Sequence, residues 1–456
     1  MSEKYFENRI FLNVDELPRY WYNIQADLPN PAAPSLHPQT LQPLTPQDLE
    51  PLFAKELIKQ EVSTERYIEI PDPIREVYKN WRSTPLYRAK SLEKAIGSTA
   101  RIYYKYEGDN PTGSHKLNTA MAQVYYNKQE GIKRIATETG AGQWASALAV
   151  ACHFFGLECM VYMVKVSYEG KPYRRYLVNL FNGEIVASPS PLTQSGREIL
   201  AADPDCTGSL GIAISEAVED ALGRADTHYC LGSVLNHVAL HQTIIGEETK
   251  LQLAKVDDYP DIVIACHGGG SNFAGIAFPF LKDKFEGKNI RVIAAEPAAC
   301  PTLTRGVYAY DYGDTAHLTP VCKMYTLGAG FIPAGIHAGG LRYHGSSPLV
   351  SQVVHEGYVE AQAFNQNECF EAATLFAQVE KIIPAPESSH AICCAIKEAK
   401  KATAEGKSPT IVFCLSGHGF FDMQAYHNYK EGKLIDTPLD EEYLKQSLAS
   451  LPKVNL

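Results

Sequence analysis

A lysine stands in this chain where local electrostatics disfavour it. In Glu107-Gly108-Asp109-Asn110-Pro111-Thr112-Gly113-Ser114-His115-Lys116-Leu117-Asn118, a β-type run ends and a Pro-Thr-Gly turn follows. Ser114 can then cap a helix whose first turn contains Lys116. The dipole at that helix end favours anions and so lowers the pKa of an amine placed there, which a Schiff-base lysine requires. A solvated lysine is the alternative on the same residues. Cys266-His267-Gly268-Gly269-Gly270-Ser271-Asn272 is a second unusual loop. Its glycines let the backbone approach a ligand, and the helix that follows offers unpaired N–H groups to a phosphate; otherwise it is only a tight strand-to-helix turn.

Two further loops are compatible with the same kind of site. Glu138-Thr139-Gly140-Ala141-Gly142-Gln143-Trp144 has glycines and free N–H groups that suit a carboxylate. Glu138 beside it is an acid or base, or a surface glutamate ahead of an ordinary turn. In Leu415-Ser416-Gly417-His418-Gly419, Ser416 can donate to a ring nitrogen or cap the next segment. Competing motifs fail. Phe273 stands where a dinucleotide fingerprint needs its third glycine, and no Gly-Lys-Ser/Thr follows to make a P-loop. Gly-x-Ser-x-Gly is absent. So are His-Glu-x-x-His, paired-Cys spacing and an EF-hand loop, so no structural metal is expected.

These loops must be held by something regular. From Arg101 onward, β-rich runs alternate with helical patterns. The expected strands are Arg101–Tyr106, Arg134–Glu138, Cys159–Val164, Ile185–Ala187, Asp261–Cys266, Arg291–Ala295 and Thr410–Leu415. The expected helices include His115–Glu130, Trp144–Phe155, Tyr173–Phe181, Ala239–Ala254 and Ser388–Ala402. Short, continuous apolar strands between helices indicate parallel sheets covered on both faces. Two such sheets suit the length of 456 residues. Residues 1–46 differ: Pro29, Pro31, Pro34, Pro38, Pro43 and Pro46 forbid regular structure. They read as an extended arm docking through Trp21 and Tyr22, or as a free tail. Thr45-Pro46-Gln47-Asp48 then opens a helix.

Composition bounds the function. Lys and Arg number 42 against 52 Asp and Glu, a net charge of −10, which argues against nucleic-acid binding. No apolar stretch approaches bilayer length, and the charged start does not read as a secretory signal. The 11 cysteines lie mostly in apolar runs without Cys-x-x-Cys, as reduced buried residues of a cytoplasmic protein do.

Taken in order, the four loops, together with Pro384-Ala385-Pro386-Glu387-Ser388-Ser389-His390-Ala391, resemble the tryptophan synthase β chains. Thr84-Pro85-Leu86-Tyr87 and Gly335-Ile336-His337-Ala338-Gly339-Gly340-Leu341-Arg342-Tyr343-His344-Gly345 resemble especially the second, divergent branch. The likeness covers about residues 80–425. It implies a fold-type II pyridoxal 5'-phosphate enzyme of two three-layer α/β domains with mostly parallel sheets and the cofactor in the cleft between them. The implied division is an arm at 1–46, an N-terminal domain at 47–82 and 115–232 with a mobile closing part at about 131–220, a C-terminal domain at 83–114 and 233–435, and a tail at 436–456.

The resemblance assigns Lys116 the aldimine and Glu138 the acid/base role. His115, Gly268, Gly269, Gly270, Ser271 and Asn272 would hold the cofactor phosphate, Glu387 would lie near the ring, and Ser416 would face the pyridine nitrogen. Thr139, Gly140, Ala141, Gly142 and Gln143 would take the substrate carboxylate. The implied reaction is β-replacement, forming L-tryptophan from indole and L-serine through an aminoacrylate. A serine or threonine dehydratase would use the same loops, and an inactive regulatory paralogue is the reading from another class. This chain departs from the main branch at Arg342, where an Asp is usual. An arginine there suits an anionic leaving group, which makes O-phospho-L-serine a candidate donor, or it is a structural ion-pair partner. Trp144, Ala145 and Lys381 also depart from the main branch, which bears on the shape of the indole pocket. The expected assembly is a homodimer whose α-subunit binding is weak or absent, with a monovalent cation as a further candidate ligand.

Overall fold

The apolar runs form two sheets in the computed structural model, which describes residues 8–454. The larger has the order Arg9–Ile10, Leu86–Arg88, Arg101–Tyr106, Thr410–Leu415, Ile262–Cys266, Arg291–Pro297 and Glu360–Phe364. Its last five strands are parallel, and Leu86–Arg88 runs antiparallel to both neighbours. The smaller sheet is wholly parallel, in the order Glu184–Ser188, Glu158–Val164, Arg134–Thr139 and Thr227–Tyr229.

Alternation explains why the central strands are apolar throughout. Val263, Ala265, Val412 and Cys414 enter a core with Phe273, Ala277 and Phe280 of the helix Ser271–Phe285. Their neighbours Ile262, Ile264, Ile411 and Phe413 enter a second core with Ile392, Ala395 and Ala399 of the helix Ser388–Ala404. Helices on both faces leave no polar side to a strand.

The structure differs from expectation where apolar continuity is a poor guide. Val307–Tyr312 and Val321–Thr326 form an antiparallel hairpin whose outward residues are half-exposed, so no continuous apolar run marks them. The helix expected at Ala239–Ala254 is two, Asn236–Gln242 and Ile244–Ala254. At the break, the Thr243 hydroxyl donates to the Leu240 carbonyl (2.7 Å) and accepts the Tyr22 N–H (2.9 Å), so the N-terminal segment docks into the interruption. Trp21 and Tyr22 are fully buried there, and Tyr20–Tyr22 pairs with Tyr67–Glu69. The first seven residues of the arm and the last two of the tail lie outside the described residues. Ser114 does not cap the helix after the lysine loop. The helix runs Leu117–Gln129 with Lys116 at its N-cap, because the backbone of Ser114 bridges to Gly417 instead.

Beneath that helix start lies a charge cluster with no water contact. Arg82, Lys105, Glu107 and Glu248 have fully buried side chains. Arg82 donates to Glu248 (2.5 Å), Glu107 (3.1 Å) and the side-chain oxygen of Asn118 (2.8 Å). Lys105 donates to Glu248 at 2.7 Å. Burial alone would raise the Glu107 carboxyl, but Arg82 and Lys105 outweigh it and hold the group down at about 2. Two cations and two anions balance, and Asn118 couples them to the turn after Lys116. Removing one partner strands a buried charge, so Arg82→Met is expected to lower the unfolding free energy by about 3–5 kcal/mol. A denaturant midpoint unchanged from wild type would contradict that.

Candidate active site

Four loops leave the carboxyl ends of parallel strands and meet, the position where open α/β sheets bind ligands. The N–H of His115 donates to the carbonyl of Ser416 (2.9 Å), joining the lysine loop to the last strand. His115 Nε2 lies 3.0 Å from the Ser271 hydroxyl, joining it to the triple-glycine loop. Burial pushes this imidazole down to about 3, with Lys116 acting in the same direction, so it is neutral.

Lys116 projects past these contacts and donates to the Gly232 carbonyl at 2.8 Å. Desolvation lowers its amine to about 8, against the opposing pull of Glu138 and Glu387. Gly232 is dictated by space: a Cβ there would lie 2.7 Å from the Trp144 ring and 3.0 Å from the amine nitrogen. Glu138 is the penultimate residue of the strand Arg134–Thr139 and is buried. Desolvation raises it to about 7, while the Tyr229 hydroxyl, donating at 2.6 Å, and Lys116 restrain the rise. An amine and a carboxyl whose protonation states are both accessible near neutrality thus face one cleft.

The triple glycine is a cradle. A Cβ on Gly268 would lie 2.7 Å from the Leu341 backbone, one on Gly269 2.3 Å from the Ser233 hydroxyl, and Gly270 has φ of +106°. The helix Ser271–Phe285 starts there, turning its first N–H groups into the loop. Asn272 Oδ1, His267 Nδ1 and Ser347 Oγ around it are buried without partners. The loop Thr139–Gln143 opens the helix Gln143–Phe155 in the same way, with the Gly142 N–H on the Thr139 hydroxyl (3.1 Å). Ser416 Oγ lies 2.7 Å from Ser388 Oγ. Glu387 accepts the Gly340 N–H at 2.8 Å and leaves its second oxygen buried without a partner.

Arg342 is buried beside Gly140 and Gly339 in a small cavity also lined by Ser209 and Leu210. It donates to the Ser167 hydroxyl (2.9 Å), and its Nε has no partner. No carboxylate lies within ion-pair distance of it among the described residues, and Glu387 acts on it only from farther off. On the other side of Glu138 lies a largely apolar cavity, lined by Phe53, Leu210, Ile214, Tyr229, Leu231 and Tyr343 among others.

Sequence reasoning had passed over Tyr229 and Gly232, because the three-residue strand Thr227–Tyr229 is too short to show a period. The glycine after an apolar run was the available signal. An amine of lowered pKa, an anion cradle beside it and a hydroxyl at Ser416 together suit a phosphorylated heteroaromatic aldehyde, and pyridoxal phosphate fits these residues.

Comparison with known proteins agrees. The family described as pyridoxal-phosphate dependent enzyme matches residues 77–417. Tryptophan synthase beta chain 2 of Thermotoga maritima is 60% identical over 420 residues, covering 92% of this chain and 100% of that protein. Its counterpart in Methanosarcina acetivorans is 58% identical over 430 residues, covering 94% and 97%. Among solved structures, a fungal L-serine ammonia-lyase from Rhizomucor miehei superposes with a TM-score of 0.59 at 17% identity, covering 78% of this chain and 99% of that one. At that identity, the likeness speaks for the fold alone. Loops, cradle and relatives therefore converge, and the chain belongs to the tryptophan synthase β-chain family of pyridoxal-phosphate-dependent enzymes.

Proposed function

We propose that this protein makes L-tryptophan by joining indole to the β-carbon of L-serine or O-phospho-L-serine, as a carbon–oxygen lyase. The observation that carries the reading is that Glu138 lines an apolar cavity while its carboxyl and the Lys116 amine lie within each other's electrostatic influence. The bound cofactor supplies an electron sink for the donor amino acid. The loop Thr139–Gln143, at the start of the helix Gln143–Phe155, orients the α-carboxylate. Lys116, basic at about 8, takes the Cα proton. Glu138 gives a proton to the departing β-oxygen. As a carboxylate it then faces the indole N–H while C3 attacks, and offsets the positive charge growing on nitrogen. Ser416 would meet the ring of the cofactor with a neutral hydroxyl rather than a counter-charge, which would favour loss of the β-substituent over return of the proton. His115 with residues Gly268–Asn272 holds the phosphate.

A dehydratase would share the loops, but the fungal L-serine ammonia-lyase that superposes on this chain shares only the fold, at 17% identity. The apolar cavity favours an arene over water as the acceptor. Ser35 and Leu44 of the arm also line it, and Leu36 pairs with Val321. That lining supports indole reaching the site without an α subunit. The 11 cysteines are all buried and unpaired, which supports a reducing cytoplasmic setting.

The purified protein is expected to absorb in the visible, and borohydride to fix the cofactor on Lys116. A protein unchanged by borohydride would end the reading. Glu138→Gln is expected to keep the cofactor and lose about 10²–10⁴-fold in tryptophan synthesis. Full turnover in that variant would remove Glu138 from the chemistry. The unpaired guanidinium of Arg342 beside the carboxylate loop supports a phosphorylated donor. Arg342→Ala is expected to cost about 10–100-fold in kcat/KM with O-phospho-L-serine and much less with serine. If the wild type turns over phosphoserine no better than serine, that donor assignment goes.

A further inference from the structure

Glu138 has two tasks of opposite charge, and a buried carboxyl can turn to the wrong partner between them. One neighbour prevents this. The register places Tyr229 opposite Ala136, two residues before Glu138 on the same face of the strand. Its hydroxyl reaches Glu138 Oε2 at 2.6 Å, and no other side chain is hydrogen-bonded to that carboxyl among the described residues. The tyrosine is itself anchored. Its N–H donates to the Leu52 carbonyl (2.9 Å), and Phe53 packs edge-on at 5.8 Å between ring centroids. The ring is 2% exposed and lines the same cavity as Glu138.

We propose that Tyr229 is a positioning residue for the reaction: its hydroxyl holds Glu138 through Oε2 and leaves Oε1 as the oxygen that exchanges protons with donor and acceptor. The inference rests on the role given to Glu138 above. Other ionisable groups facing Glu138 are Lys116 at the head of the helix Leu117–Gln129, Cys230 on the adjoining segment, and Tyr343 after the turn Gly339–Leu341. Of these, only Lys116 carries charge near neutrality, and among the described residues Tyr229 supplies the one hydrogen bond from another side chain.

The sign of the effect follows. A donated hydrogen bond stabilises the carboxylate over the acid. Without it, Glu138 ionises at higher pH. The step that needs the carboxylate, attack by indole, is lost as pH falls through the carboxyl pKa, so its acid limb moves upward. The step that needs the acid, departure of the β-oxygen, keeps its rate to higher pH.

The test is Tyr229→Phe in the cofactor-loaded enzyme. It keeps the ring and removes one hydroxyl. Each half-reaction is followed by rapid mixing from acid to alkaline pH. Infrared titration of the Glu138 carboxyl is made in parallel, with Glu138→Gln as the subtraction reference. Both limbs and the infrared midpoint are expected to rise by about one pH unit. Indole attack should slow several-fold at neutral pH and recover toward wild type in alkali, a recovery that a packing defect would not show. Profiles that superimpose on wild type, or a loss uniform across pH, overturn the inference. Should Tyr229→Phe not fold, Phe53→Leu, which loosens the ring, must move the same limbs in the same direction, and an unmoved profile overturns it too. If Glu138→Gln itself turns over normally, the reading of Glu138 fails. If only the Tyr229 profiles fail to move, the reading of Glu138 stands and this inference alone falls.

Discussion

A half-buried amine with little hydration left to it is the constraint on which this structure turns. Lys116 loses solvation without gaining a paired carboxylate, so the protonated form is disfavoured and a neutral nitrogen is available near physiological pH. Its hydrogen-bond partner is a carbonyl, that of Gly232, which holds the nitrogen without fixing it as an ammonium. Glu138 is subject to the same desolvation with the opposite result, since burial raises a carboxyl. One low-dielectric cleft therefore brings an acid and a base toward each other in pKa, which neither sequence position would do in water.

Keeping such groups buried demands rigid surroundings, and the charges that provide rigidity are kept apart from the chemistry. The cluster of Arg82, Lys105, Glu107 and Glu248 is internally neutral and fully hydrogen-bonded, so it anchors Asn118 without imposing net charge on the amine two residues earlier. Close-approach glycines do comparable work on the ligand side. Where Gly268, Gly269 and Gly232 sit, backbone or side-chain atoms already occupy the space of a Cβ, so the loops are fitted to one another before any ligand enters. The polar atoms left unpartnered nearby, including those of Asn272, Glu387 and Arg342, are the ones a charged ligand would satisfy.

Central strands such as Ile262–Cys266 and Thr410–Leu415 were legible because each residue is buried on one face or the other, and an unbroken apolar run reports that. The four loops were legible because glycine, lysine, glutamate and serine at strand ends have few structural reasons to recur in that order. Edges and breaks were not. The division at Thr243 depends on Tyr22, which lies 221 residues away. The failure of Ser114 as a cap depends on Gly417, on the far side of the chain.

What the sequence by itself determined was chemistry of type and order: the lysine, the glycine cradle, the acid and the hydroxyl, and the alternating elements that carry them. Local composition suffices because backbone freedom, helix-end fields and side-chain functional groups belong to a residue and its near neighbours. Only the tertiary structure decided how those groups behave. The lowered amine, the raised carboxyl, the tyrosine that holds it and the unpaired state of Arg342 all come from desolvation and from partners distant in sequence, and neither is written in any one segment of the chain.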